Sequence, residues 1–255
     1  MWRAGPVSLL GALEMKRLRE ENDLYPLVIH DSYLINLGSQ DAVIRPKSIA
    51  AFRGEIERAL AIGAEYLVFH PGSAKDYSRA ETITAVANGM REAAAGLSGA
   101  LALLIENTAG QGSVLGSTLE ELAEIRSQAQ AGLDFEVGYC LDTCHSFAAG
   151  YDLASEAGLE SFIQSADTIL GLERVAVIHA NDSKGALGSR LDRHANIGEG
   201  LLGEAAFGRM LNHSKLKTKA FILETPVDVP GDDRRNLEKL KELCRKSPTV
   251  RKISK

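Results

Sequence analysis

Leu101-Ala-Leu-Leu-Ile105, Leu119-Glu-Glu-Leu-Ala-Glu-Ile-Arg-Ser-Gln-Ala-Gln130 and Val137-Gly-Tyr-Cys-Leu141 follow one another along the chain. Two short apolar runs flank a longer helix-like segment, which reads as a β-α-β unit. The runs are apolar throughout rather than alternating, as in strands buried on both faces of a parallel sheet. The same rhythm continues outward from this unit. Pro26–Ile29, Tyr66–Phe69, Val175–Ile178 and Ala220–Leu223 are further strand runs, and Ile49–Ile62, Thr82–Leu97 and Arg235–Arg245 are further helix-like segments. Within Ile49–Ile62 the residues Ile49, Phe52, Ile56, Ala59 and Leu60 recur at helical spacing. The fold class this predicts is α/β, with helices packed outside a parallel sheet. No Pro/Ser-rich linker divides the chain, so one domain over 1–255 is expected, ending in a loose basic tail at 246–255.

Composition agrees with an ordinary globular protein: 255 residues, 45% hydrophobic and 25% charged. Three cysteines do not form a secreted disulfide framework, and reduced thiols in the cytoplasm are the simplest reading. The N-terminal apolar stretch is short and is followed at once by Glu14, Lys16 and Arg17. It reads as a helix capped by Ser8 rather than a signal peptide. Nothing approaches the ~18 consecutive apolar residues of a membrane span, so no membrane partner is expected. The formal charge of −5 taken alone argues against a nucleic-acid partner.

The chemistry lies at the strand ends. The six apolar runs hand over His30, His70, Glu106, Asp142, His179 and Glu224. In a parallel barrel these ends converge on one face, where active sites form. A lone histidine after a strand is more often a hydrogen-bonded core or turn residue, but six metal-competent side chains on one face do not fit that explanation. The loops add His145, three residues after Asp142 at a strand-to-loop exit, and the pair Asp192-Arg-His194. In extended backbone that pair points both side chains the same way. Five histidines and four carboxylates exceed one tetrahedral site and suit a cluster; without thiolates, the set suggests catalytic zinc or a similar ion. His213, at a polar helix end, is expected to be solvent-exposed. Cys144 beside His145 could suggest a nucleophile, but neighbouring carboxylates would raise its pKa. Gly198-Glu-Gly-Leu-Leu-Gly203 matches a dinucleotide fingerprint literally, yet it follows a polar loop and carries Glu199 where a pyrophosphate would approach. Its glycines are expected to shape a loop and start a helix over Glu204–Leu211.

Several segments together resemble the endonuclease IV family of zinc-dependent abasic-site DNA endonucleases. They are His30-Asp-Ser-Tyr-Leu-Ile-Asn-Leu-Gly38, Phe69-His-Pro-Gly-Ser73, Ile105-Glu-Asn-Thr-Ala-Gly-Gln-Gly-Ser113 and Cys140-Leu-Asp-Thr-Cys-His-Ser-Phe-Ala-Ala-Gly-Tyr-Asp152. The set continues with His179-Ala-Asn-Asp-Ser-Lys184, Gly188-Ser-Arg-Leu-Asp-Arg-His194, Ile197-Gly-Glu-Gly200 and Leu223-Glu-Thr225. The resemblance implies a TIM-type (β/α) barrel and three Zn2+ per chain. His30, His70 and Glu106 would hold the first ion. Glu106, the residue assigned to catalysis, would bridge to a second ion held with Asp142, His179 and Glu224. His145, Asp192 and His194 would hold the third. Tyr33 and Leu34 match positions inserted into the DNA stack at a lesion, and Lys184, Arg190 and Arg193 are loop cations placed to meet phosphates. Loop packing and plain solvation are the competing explanations for these five. The implied activity is hydrolysis of the phosphodiester 5′ to an abasic site in duplex DNA, giving a 3′-hydroxyl and a 5′-deoxyribose phosphate. The implied protein is a monomer. Three divalent ions would more than offset the formal −5, so apo charge does not decide the partner.

The chain departs from the family in strand number. Six βα units are legible where an eight-unit barrel is implied, with the start falling in a loop around Trp2–Pro6. Two units of roughly 30 residues each are therefore expected to be missing. A misassigned or truncated start is favoured over a shortened, inactive relative. The strands at Pro26–Ile29 and Ala220–Leu223 are expected to be open edges. A metal-dependent sugar isomerase or epimerase on a similar barrel is the alternative function. It would have no need of the Asp192–His194 pair.

Overall fold

The computed structural model describes Gly5 and residues 7–245; the tail at 246–255 and, apart from Gly5, the loop around Trp2–Pro6 lie outside the described residues. The strands are β1 (Val28–His30), β2 (Tyr66–Phe69), β3 (Ala102–Glu106), β4 (Glu136–Asp142), β5 (Val175–His179), β6 (Asp182–Ser183), β7 (His194–Ala195) and β8 (Ala220–Ile222). Six of them form one sheet in the order β1-β2-β3-β4-β5-β8, parallel at every pairing. β1 and β8 are its edges, as the strand reading predicts. β6 and β7 make a separate antiparallel ribbon. The helices are α1 (Leu9–Glu21), α2 (Ile44–Ile62), α3 (Arg79–Ala94), α4 (Leu119–Gln130), α5 (Thr143–Ala149), α6 (Glu156–Ile169), α7 (Gly203–Asn212) and α8 (Asp232–Arg245). None among the described residues is long and apolar enough to cross a membrane.

Caps decide most helix starts. Ser8, Thr118 and Ser155 each accept a backbone N–H of the first turn, and Ser78 with Glu81 forms a reciprocal capping box at α3. Each such cap contributes about 1 kcal/mol. α2 begins at Ile44, five residues before the predicted Ile49, because Asp41 Oδ1 accepts the N–H groups of Val43 and Ile44 at 2.8 and 2.9 Å. Pro46 then falls in the first turn, where its missing donor costs nothing. α3 likewise starts at Arg79 rather than Thr82, immediately after its cap.

Period two divides the strands into an outer and an inner face. Leu67, Phe69, Leu103, Ile105, Val137, Tyr139 and Leu141 pack with the helices in the large core. Val68, Leu104, Cys140 and Val177 form the inner cluster, with Val28 and Ile222 packed against it. Val28, Val68, Leu104, Cys140, Val177 and Ile222 are therefore one floor, drawn from all six strands. Two residues further along each chain segment stand His30, His70, Glu106, Asp142, His179 and Glu224. Strand alternation places them on the same inner face, one layer higher.

Candidate metal centre

His30, Glu106, Asp142 and His179 are the last residues of β1, β3, β4 and β5. His70 directly follows β2, and Glu224 stands two residues beyond β8. In register, Asp142 lies beside His179 on the neighbouring strand. His145 is not in a loop as its spacing suggests. Asp142 caps α5, its Oδ1 accepting the His145 N–H at 2.7 Å, so the imidazole sits in the first turn of a buried helix. His194 opens the ribbon strand β7, where extended backbone brings Asp192 Oδ1 to 3.3 Å from its Nε2.

The nine side chains come together in three groups whose ligand atoms lie within 4.8 Å of one another: His30, His70 and Glu106; Glu106, Asp142, His179 and Glu224; and His145, Asp192 and His194. Glu106 is wholly buried and shared by the first two groups. Its Oε2 faces His30 Nε2 at 2.8 Å and His70 Nε2 at 3.3 Å, while Oε1 faces His179 Nδ1 at 2.9 Å. The two oxygens of one carboxylate thus serve adjacent groups. His179 Nδ1 also lies 3.1 Å from Glu224 Oε2, and His145 Nε2 lies 3.3 Å from Asp192 Oδ1.

Hydrogen bonds to carbonyls assign the ring protons. His30 Nδ1 meets Asp31 O at 2.9 Å, His145 Nδ1 meets Asn107 O at 2.9 Å, and His194 Nδ1 meets Glu224 O at 3.0 Å. A carbonyl only accepts, so each Nδ1 carries a hydrogen and each Nε2 is the ring atom turned to the centre. Metal-binding histidines are oriented in this way. The Nε2 atoms of His70 and His194 are buried without any hydrogen bond, although carboxylate oxygens lie 3.3 Å from each. Converging nitrogen and oxygen atoms, two of them orphaned, fit divalent ions; the nitrogen and carboxylate donors fit zinc.

The electrostatics match this crowding. Burial pushes the Glu106 carboxyl up, but the His179, His145 and His30 rings outweigh it and hold the group well below the ordinary carboxylate range. Burial pushes the His30 ring down, and Glu106 overrides it, holding His30 at about 9. Strong mutual perturbation among clustered titratable groups is a frequent property of functional sites.

Other predicted residues sort clearly. Tyr33, in the loop after β1, is 83% exposed, and Leu34 beside it is half-buried. Lys184, Arg190 and Arg193 are exposed. His213 is not solvent-exposed as predicted: it caps the end of α7, half-buried, with Nε2 3.3 Å from Glu160 Oε1. Cys140 and Cys144 are buried, and burial pushes the Cys140 thiol up to about 12. Cys144 is raised as well, with burial as the larger cause and Asp142 a lesser one, which reverses the weight given to the carboxylates. Neither is a nucleophile. A thiol reagent is expected to modify exposed Cys244 quickly in the native chain and the other two only after unfolding. Fast native modification of a second thiol would contradict this packing.

The glycine-rich loop takes a different partner from any nucleotide. Asp182 is wholly buried, and its Oδ1 accepts the N–H groups of Ser183 and Leu202 at 2.8 and 2.9 Å. Its Oδ2 accepts those of Gly198, Gly200 and Gly203 at 3.0, 3.1 and 3.2 Å. The loop that resembles a phosphate cradle wraps the chain's own carboxylate by the same physics. A Cβ at Gly200 would lie 2.4 Å from Asp182 Oδ1 and 2.6 Å from Ser183 O, so only glycine permits this approach. Spacing alone missed Asp182, since four of its five partners lie 16 to 21 residues away.

Residues 3–246 match the family described as xylose isomerase-like TIM barrel. A protein of Solibacter usitatus named probable endonuclease 4 is 54% identical over 245 residues, which cover 96% of this chain and 84% of that protein. Endonuclease 4 of one Thermus thermophilus strain is 40% identical over 242 residues, covering 94% of this chain and 83% of that protein. The crystal structure of endonuclease IV from a second strain of Thermus thermophilus superposes with a TM-score of 0.83 at 38% identity, covering 97% of this chain and 86% of that one. A D-tagatose 3-epimerase-like protein superposes with a TM-score of 0.70 at 22% identity, covering 92% and 83%, a likeness of fold alone. Six parallel strands of such a barrel carry the site, and identity above one half with a relative runs over nearly the whole sequence: this chain belongs to the endonuclease IV family.

Proposed function

We propose that this chain is a DNA-repair endonuclease that hydrolyses the phosphodiester 5′ to abasic sites in duplex DNA. The products are a 3′-hydroxyl and a 5′-deoxyribose phosphate. The observation that carries the reading is the set of three convergent groups, two of them sharing Glu106 and the third built from His145 with the Asp192–His194 pair. His30, His70 and Glu106 hold one zinc ion, Glu106 with Asp142, His179 and Glu224 a second, and His145, Asp192 and His194 a third. Divalent ions so held supply Lewis-acid stabilisation of charge on phosphoryl oxygens and activate water at neutral pH. The protein's part is to orient. Carbonyl hydrogen bonds keep the Nε2 atoms of His30, His145 and His194 turned inward, and Glu106 keeps two groups in one frame.

Tyr33 projects into solvent from the loop after β1, beside the site, with Leu34 behind it. On this reading both would wedge into a duplex, as side chains that unstack a base step do. Lys184, Arg190 and Arg193 offer positive charge to the backbone without reading sequence. We take the protein to act as a monomer in the cytoplasm, in keeping with its reduced, buried Cys140 and Cys144.

The test is incubation of the purified chain with a duplex carrying one abasic site, with zinc content measured on the same sample. Cleavage on the 5′ side and about three ions per chain are expected. Intact substrate together with bound metal well below three ions would sink the reading. Asp192→Ala is expected to abolish cleavage; a silent change there would favour an isomerase or epimerase with no use for the third group.

A further inference from the structure

Asn181 stands two residues beyond His179, wholly buried, where strand alternation turns both side chains to the inner face. Its amide spans two of the carboxylate residues of the centre. Nδ2 donates to Asp142 Oδ2 at 2.6 Å, and Oδ1 accepts the Glu224 backbone N–H at 2.9 Å. The amide orientation is dictated by its partners, since a backbone N–H can only donate and a carboxylate only accept. The path of the chain at Asn181 itself does not depend on that amide. The Asn181 backbone is held separately, its N–H donating to Thr143 Oγ1 at 2.9 Å and its carbonyl accepting from the same hydroxyl at 2.7 Å. Ala180 N–H donates to Ile222 O at 2.7 Å, which ties the end of β5 to β8. Each named hydrogen bond of the side chain therefore goes to the site.

We infer that Asn181 is a positioning residue that sets the separation between Asp142 and Glu224, and with it the fit of an ion held by Glu106, Asp142, His179 and Glu224. The inference rests on the metal-centre reading above. Asp142 is a side chain of β4, whereas Glu224 is carried on irregular backbone beyond β8, with β5 between them. One short amide closes that gap. The other Asp142 oxygen accepts the His145 N–H, so each oxygen has one protein donor and keeps a lone-pair direction open. The Glu224 backbone is pinned on both sides, its N–H by Asn181 and its carbonyl by His194 Nδ1, which couples the second group to the third.

Asn181→Ala removes both contacts. Asn181→Asp keeps an acceptor for Glu224 and sets a second carboxylate against Asp142. The measurements are zinc binding in metal-buffered titrations, kcat and KM on an abasic duplex, and circular dichroism of the metal-free chains. In both variants one ion is expected to bind about 10- to 100-fold more weakly, the usual cost of losing an outer-shell partner. The other ions keep wild-type affinity, kcat falls, and KM for DNA stays unchanged because Asn181 does not reach the duplex. Excess zinc restores Asn181→Ala but not Asn181→Asp. Wild-type affinity for every ion in Asn181→Ala overturns the inference, and so does loss of native dichroism in both variants, which would make Asn181 purely structural. If the wild-type chain itself binds no zinc, the metal-centre reading fails and takes this one with it.

Discussion

Glu106→Gln is expected to slow cleavage of an abasic-site duplex by at least about a thousandfold, the equivalent of several kcal/mol of transition-state stabilisation. Glutamine preserves the volume of a wholly buried side chain, so the barrel interior keeps its packing. The change removes the one carboxylate whose two oxygens face separate groups, Oε2 toward His30 and His70 and Oε1 toward His179. An amide offers one oxygen and one nitrogen that cannot act as a ligand, so two ion positions are impaired by a single substitution. Single-turnover cleavage and zinc content per chain measure the effect. A variant that retains full metal content and loses less than tenfold in rate would show that Glu106 does not join the groups.

Asp182→Ala is expected to destabilise the chain by at least about 4 kcal/mol, a fall in Tm on the order of 10 °C for a domain of this size. Five backbone N–H groups end on this carboxylate, and an alanine leaves them without their acceptor. Unsatisfied buried donors cost about 1–3 kcal/mol each, and partial entry of water keeps the sum below their simple total. Asp182→Asn retains one oxygen but turns an NH2 group toward N–H donors, so an intermediate loss is expected. Asp182 also begins the ribbon that presents His194, through pairing of Asp182 with Ala195 and Ser183 with His194. Thermal melts followed by circular dichroism settle the matter, and an Asp182→Ala melt within about 3 °C of wild type, a change of roughly 1 kcal/mol, would show that the cradle carries little stability.

Net charge was a misleading guide to the partner. A surplus of acidic residues ordinarily disfavours nucleic acid, yet Glu106, Asp142, Asp192 and Glu224 each face a histidine of the site, and Glu106 and Asp142 are wholly buried. Lys184, Arg190 and Arg193 by contrast are exposed. Local placement of charge, not the formal total, governs contact with a polyanion.

The strand layer and the side chains it delivers are legible in the amino-acid order alone. Continuous apolar runs of four to five residues alternating with longer helix-like segments fit strands covered on both faces, and period two keeps residues two apart on one face. From Val28 to His30 and from Ile222 to Glu224 that step is legible without coordinates. Helix starts were less so: the Asp41 cap of α2 and the placement of His145 on α5 depend on hydrogen bonds that spacing leaves open. Which groups share a residue emerges only from the folded chain. That Glu106 faces two groups, that Asn181 spans Asp142 and Glu224, and that a glycine-rich loop closes on Asp182 rather than on a phosphate are facts of residues far apart in the chain. Local propensity and periodicity act over a few residues; these contacts exist because six parallel strands carry distant residues to one end of the sheet.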